Sequence, residues 1–179
     1  MVRRSVRVTD PDQAGSVRGF TPEVLLGPLN SLELLHAPKQ LFAAGHTEWL
    51  RERPRVSIVG SRKPSPDGPK RAAELARVLT QHGALVMSGL AEGIDASAHI
   101  TTLEAGGRTI AVIGTSLSEA YPTKHRSLQD RLMREHLVVS QFSEGHPTTR
   151  KNFPTRNRTM ALVSDASVIV EAGEGSGSL

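Results

Sequence analysis

Short apolar runs alternate with helical patterns along most of the chain, and loops rich in Gly, Ser and Thr follow those runs. These observations predict an α/β fold: a Rossmann-like, doubly wound, mostly parallel sheet behind a short N-terminal helical appendage. The strands are apolar throughout and not alternating, as expected for parallel strands covered on both faces.

Residues 1 to about 20 are polar and turn-rich, which predicts a loosely ordered start. "SLELLHAPKQLFAAG" (31–45) offers one or two short amphipathic turns. Residues 1–53 are accordingly expected as an N-terminal extension with a small helical segment, joined through "RERPR" (51–55) to a sheet domain over 54–179. The first strand is "RVSIVGSR", ending near Gly60. "GPKRAAELARVLTQHG" then reads as a helix, with Pro69 in its first turn and Gly83 just past its last. "ALVMSG" is the second strand, and "GIDASAHITTLEAGG" a helix stopped by Gly106 and Gly107. "RTIAVIG" is the third strand, "RSLQDRLMREH" a helix and "LVVSQF" the fourth strand. "RTMALVSD" begins as a helix and "ASVIVEAG" is the fifth strand. The sequence ends at "SGSL" soon after it. A doubly wound domain ended there leaves one sheet face uncovered, so the C-terminal part of the domain is expected to be missing.

Composition removes several function classes. With 37% hydrophobic residues in 179, the chain holds a real core. It has no Cys, which excludes disulfides and thiolate metal sites and suits a reducing cytoplasm. Its seven His show no zinc spacing, and no apolar run approaches the length of a membrane span. No metal, cofactor or membrane partner is expected. Aromatics make up 3% of the chain, too few for a sheet of stacked rings of the kind that binds RNA.

The net charge of +4 sits in one segment. Lys124 to Arg158 holds eight Lys/Arg and three acids (+5), and the remainder holds 14 basic and 15 acidic residues (−1). Such a patch concentrates polyanions, nucleic acid above all. It culminates in "RKNFPTRNR" (150–158), four cations around Phe153 with no acid among them.

Open α/β sheets bind ligands at the carboxyl ends of their strands. Here those ends carry Gly60, Ser61 and Arg62; Ser88, Gly89 and Gly93; Gly114 and Thr115; and Ser176 and Ser178. Gly admits close approach of backbone amides to an anion, helix N-termini add positive potential, and Arg62 adds a full charge. The pattern predicts an anion pocket, best suited to phosphates. There is no GxGxxG, GxxxxGK[ST] or GxSxG, so generic NAD, ATP and hydrolase sites lack support and no catalytic residue is assigned. Asp95 and His99, four apart on one helix face, suit either an acid/base pair or a structural role. Asp95 also stands where free N–H groups open its helix. Phe153 suits either a core position or a ligand platform.

"IVGSRKPSPDG", "SGLAEGIDASAH", "GGRTIAVIGT", "YPTKHRSLQ", "NFPTRNR" and "VIVEAGEGSGSL" resemble, in order and at similar spacing, the DprA/Smf family of DNA-processing proteins. The resemblance spans about residues 36–179. It implies a Rossmann-like domain that binds single-stranded DNA, protects incoming DNA, loads the RecA recombinase and serves natural transformation, without turnover. It further implies DNA or phosphate contacts from Ser61, Arg62, Ser88, Gly89, Lys151, Asn152, Phe153, Arg156 and Asn157, with Arg150 beside them. In that family an N-terminal helical domain and a winged helix often occur, and dimerisation and RecA contact lie partly in a later region that this sequence does not include. A homodimer is one state that the resemblance allows. The rival reading is a nucleotide-binding Rossmann protein, either a LOG-like phosphoribohydrolase or a nucleotide sensor. The LOG motif PGGxGTxxE is absent from the comparable "EAGEGSGSL".

Overall fold

The computed structural model describes residues 16–173. The five expected strands form one sheet in parallel register: β3 (Arg55–Gly60), β4 (Leu85–Ser88), β5 (Thr109–Ile113), β6 (Leu137–Ser140) and β7 (Ala166–Glu171). Two strands that the sequence pattern does not predict extend it, β1 (Arg18–Phe20) and β2 (Leu41–Gly45), and the spatial order is β1-β2-β6-β5-β4-β3-β7. The helices are α1 (Pro22–Leu26), α2 (Ser31–His36), α3 (Gly68–Gln81), α4 (Ile94–Glu104), α5 (Arg126–Glu135) and α6 (Asn152–Val163).

β2 corrects the expectation of short turns across 31–45. Only its first half turns, as α2, whose Asn30 cap accepts from the Leu32 and Glu33 amides while Glu33 accepts from the Asn30 amide. Leu41–Gly45 instead pairs antiparallel with β6. Leu41, Ala43 and Ala44 are all buried there, so the strand shows no alternation by which to identify it. The polar start is likewise not wholly irregular, because Arg18–Phe20 adds to β2.

Side chains of successive residues leave the sheet on opposite faces. Leu85, Met87, Ile110, Val112, Leu137 and Val139 meet Met160 and Val163 of α6 on one face. On the other, Ala111, Ile113 and Val138 pack with Leu132 of α5, while Ile58 and Val86 pack with Ala72, Ala76, Ile94 and Ala98 of α3 and α4. α6 thus crosses the face on which Leu25 of α1 and Leu50 also pack, carrying the chain from β6 to the far edge at β7.

That edge is fastened by charge. Arg55, at the start of β3, is buried, and the neighbouring edge strand begins after Asp165. Asp165 Oδ2 accepts from the Arg55 amide at 2.8 Å and from Nε at 3.3 Å, and Oδ1 accepts from Nη2 at 3.1 Å. Burial works against ionisation of Asp165, but the hydrogen bonds and charge of Arg55 outweigh it and hold the pKa below the usual carboxylate value. Arg53 also bonds Asp165 but is largely in water.

Removing Asp165 strands the buried Arg55 guanidinium, so Asp165→Ala is expected to cost about 3–5 kcal/mol in urea unfolding. Arg53→Ala removes an exposed partner and is expected to cost about 0–1 kcal/mol. Equal losses from the two variants would show that burial does not govern this network.

Candidate functional site

From β3 the sheet winds through β4, β5 and β6 in one direction, and β7 returns to the other side of β3. The reversal makes a crevice beyond the carboxyl ends of the strands. A cleft of about 590 Å³ opens there. Gly60, Ser61, Arg62 and Lys63 line it from the loop after β3, and Arg150, Phe153, Pro154, Arg156 and Asn157 from the start of α6. Ala91, Asp95 and Tyr121 complete the lining. Four cations thus face the cleft against one carboxylate.

The loops at the strand ends are rich in small residues as expected, but their amides are already occupied. Ser61 N–H donates to Glu171 O at 2.7 Å, Lys63 N–H to Ser61 Oγ at 3.1 Å, and Ile94 N–H to Ser61 O at 3.3 Å. Gly89 and Ala91 N–H donate to Asp95 Oδ2 at 3.1 and 3.4 Å. The expected cradle of free amides is therefore corrected for these residues: the protein's own acceptors hold them. Positive potential in the cleft comes instead from side chains, helped by the N-terminal ends of α4 and α6.

The cations differ in kind. Arg62 is exposed, and its Cζ lies 4.7 Å from the centroid of the Phe153 ring, within cation–π range. Tyr121, half exposed, meets the same ring at 5.1 Å and 44°. Phe153 itself is half-buried. Its surroundings decide between core and platform: it rests against Gly114, where a Cβ would come within 2.8 Å of the ring, and its remaining surface is offered to the cleft. Arg156 is buried, and Nη1 donates to Val112 O at 2.6 Å. The guanidinium lies against Gly89, where any Cβ would fall 1.7 Å from Nη1, so only Gly fits. Burial lowers the Arg156 pKa, and the nearby Asp95 charge works against that shift. The neutralising acid that "RKNFPTRNR" lacks comes from α4.

Other residues singled out in the sequence turn inward. Ser88 is buried and its hydroxyl donates to Ile58 O at 2.6 Å. Thr115 is buried and donates to Glu119 O at 3.0 Å. Asn152 is buried, accepting from Thr149 Oγ1 at 2.8 Å and donating to Pro147 O at 3.2 Å, so its amide shapes the loop before α6. Gly93, at a φ of +78°, turns the chain into α4. None of these four lines the cleft, and neither does Lys151, which is exposed at the N-cap of α6. Gly89 and Gly114 line a smaller pocket beside it. Ser176 and Ser178 lie outside the described residues. The structure adds Tyr121, Lys63 and Glu92 to the site, and among them only Tyr121, one of few aromatics in the chain, carries a signal in the sequence.

Asp95 and His99 do not form an acid/base pair. Asp95 serves the loop amides, with burial raising its pKa and Arg156 opposing the rise. His99 is fully buried, with Nδ1 2.7 Å from Thr109 Oγ1, whose hydroxyl donates to Val86 O at 2.9 Å. The Thr109 oxygen therefore accepts from Nδ1–H, and Nε2 has no partner among the described residues. Burial lowers the His99 pKa from 6.5 to about 3. Among the described residues no group of three potential metal ligands occurs, and no helix is long and apolar enough to cross a membrane.

Comparison with known proteins bears on this cleft. The family model of DNA recombination-mediator protein A matches residues 27–179. DNA processing protein DprA of Streptococcus pneumoniae is 40% identical over 152 residues, covering 85% of this chain and 53% of that protein. Protein Smf of Synechocystis is 39% identical over 150 residues, covering 82% of this chain and 38% of that protein. The chain thus spans about half, or less, of the length of these relatives. The X-ray structure of the S. pneumoniae protein superposes with a TM-score of 0.80 at 35% identity, over 93% of this chain and 58% of that one. DNA processing protein A from Helicobacter pylori, whose structure concerns its single-stranded DNA binding mode, superposes with a TM-score of 0.73 at 32% identity, over 79% of this chain and 65% of that one.

His99 yields a pH prediction. Its folded pKa of about 3 lies below the unfolded 6.5, so the unfolded chain binds the extra proton between them. Its contribution is fully present above pH 6.5 and is lost as pH falls toward 3. The loss approaches about 1.4 kcal/mol per pH unit. Asp95, shifted upward, acts in the opposite sense, but it is common to parent and variant. Urea unfolding of the parent and His99→Gln between pH 7.5 and about 5 is expected to show the parent losing stability faster. Parallel pH dependence would show that His99 is not buried neutral.

Proposed function

The chain belongs to the DNA recombination-mediator protein A family, and from that membership and the make-up of its cleft we propose that it is a single-stranded DNA-binding factor that acts by holding DNA, without turnover. Further parts of the proposal are that it protects incoming strands and loads a RecA-type recombinase onto them in natural transformation, in the cytoplasm. The observation that carries the reading is Arg62 laid over Phe153 at the mouth of a cationic cleft. A cation and a ring at one spot suit a phosphate and its adjoining base. Every base has a π-face, so such a site tolerates sequence.

Placement ranks the residues. Arg62 and Arg150, exposed and lining the cleft, are the phosphate contacts best supported by geometry, with Lys151 on the adjoining surface. Gly60, Ser61 and Asn157 line the cleft beside them. Arg156 adds positive potential from beneath and fixes the wall. Asn152, Ser88, Thr115 and Gly93 support the loops. The H. pylori relative, described by its single-stranded DNA binding, supports the choice of ligand.

Titration against single- and double-stranded oligonucleotides at several salt concentrations tests this. Single strands are expected to bind more tightly. Arg62→Ala or Lys151→Ala is expected to weaken binding and flatten the slope of log K against log salt by about 0.7 per lost contact. Phe153→Ala is expected to cost about 1–3 kcal/mol of binding with the slope nearly unchanged. Its thermal melting should move far less than the about 3–5 kcal/mol cavity loss of a core Phe. Tighter binding to duplex, or binding of a mononucleotide with no affinity for oligonucleotides, would overturn the reading.

A further inference from the structure

Phe153 also walls a second, smaller pocket of about 200 Å³ beside the cleft. Tyr121 and Pro122, Gly89 and Gly114, and the carboxylate of Glu92 also line it, with Arg62 and Lys63 shared with the cleft. The pocket is large enough for one nucleobase, two of its walls are aromatic, and the glycines let it reach the ends of β4 and β5. Glu92 is the odd member in so cationic a region. Lys124 Nζ holds its Oε1 at 3.0 Å. The Lys124 hydrogen bond, followed by the charges of Lys124, His125 and Arg62, keeps Glu92 below its usual pKa, so it stays ionised.

An ionised carboxylate accepts hydrogen bonds and donates none, and it repels phosphate. Resting on the single-stranded DNA reading above, we propose that this pocket is a base subsite, and that Glu92 reads the base in it by accepting from its Watson–Crick edge. Guanine fits best, because its N1–H and N2–H donate side by side to one carboxylate, a charge-assisted bidentate pair. Cytosine and adenine offer an amino group. Thymine presents a single N3–H between two carbonyl oxygens, which face the carboxylate unfavourably. Single-strand grooves commonly draw a modest base preference from stacking alone. Here a directed acceptor adds to the Tyr121 and Phe153 rings, and the preference it imposes follows donors, not ring size.

Inosine separates the two sources, since it stacks as a purine but lacks the N2 amine. Fluorescence titration of the full chain with the 12-mers d(TG)6, d(TI)6 and d(T)12 is expected to give d(TG)6 about tenfold tighter than d(T)12, the scale of one good bidentate contact, with d(TI)6 between them. Glu92→Gln should weaken d(TG)6 and tighten d(T)12, because it removes an anion from beside the bound strand. Equal binding of d(TG)6 and d(TI)6, or a guanine preference that survives Glu92→Gln, would assign the preference to stacking and overturn the subsite. Equal binding of d(TG)6 and d(T)12 would overturn it too. Failure of the parent to bind any of the three is a different result: it removes the DNA reading itself and the subsite with it.

Discussion

A buried pair of opposite charges holds the cleft in shape. Asp95, in the first turn of α4, draws in the amides of Gly89 and Ala91. Arg156, from the first half of α6, lies against Gly89 and donates to Val112 on β5. Neither side chain would be stable alone out of water, and each charge offsets the burial of the other. Together they tie the loop after β4, the start of α4, the start of α6 and the middle of the sheet to one point. The site depends on that tie, because Phe153 and Arg150 are carried by the same stretch of α6 and its approach. Had Arg156 been exposed, it would have been one more cation facing the cleft. Buried, it sets where the others stand.

Polar groups in and behind the cleft divide into two sets with little overlap. The amides of Ser61, Lys63, Gly89, Ala91 and Ile94, and behind the cleft the short polar side chains of Ser88, Thr115 and Asn152, are satisfied internally, and they stiffen the loops. The long cations and the rings of Phe153 and Tyr121 remain on the outside. A loop whose amides are already bonded has little order left to lose, so Arg62 stands on a fixed base, which would lower the cost of binding in the reading proposed above. Stacking against Phe153 restricts Arg62 further before any ligand arrives.

This division explains what the sequence made legible. β4, β5 and β6 are legible because they are buried on both faces and so are mostly apolar, and β3 and the exposed edge strand β7 are legible by their runs of β-branched residues. β2 is not, because "LFAAG" is short, buries adjacent alanines and has the composition of a helix. Motif positions point to the residues near the cleft, yet residue type cannot tell a polar side chain that holds a loop from one that faces a ligand, and Asn152 and Ser88 turn inward. Arg156 looked unpaired because its counter-charge lies in a distant segment, brought near only by the winding of α4 and α6. Glu92 stands inside "SGLAEGID", where a single acid in a glycine-rich turn has no periodicity to mark it.

The edge strand closes the chain of dependence. β7 is joined to β3 along one side, and acids fasten both of its ends: Asp165 to Arg55 at the start, Glu171 to the first loop at the finish. Between them the register shifts, so that Val59 faces Ile169 while Gly60 faces Glu171. The extra residue is Val170, which packs against the α3–α4 side of the core. A bulge of this kind re-aims the side chains beyond it. Here it delivers the Glu171 carboxylate to Ser65, whose amide and hydroxyl donate to it at 2.6 and 2.7 Å, while Glu171 O takes the Ser61 amide. Ser61 and Ser65 bracket Arg62. The position of the exposed guanidinium over Phe153 is therefore set from two directions, by the buried Arg156 that anchors the start of α6 carrying the ring and by the bulged end of β7 that holds the loop carrying the arginine. A slip of β7 by one residue would withdraw the carboxylate, free the loop and separate cation from ring with both side chains still present.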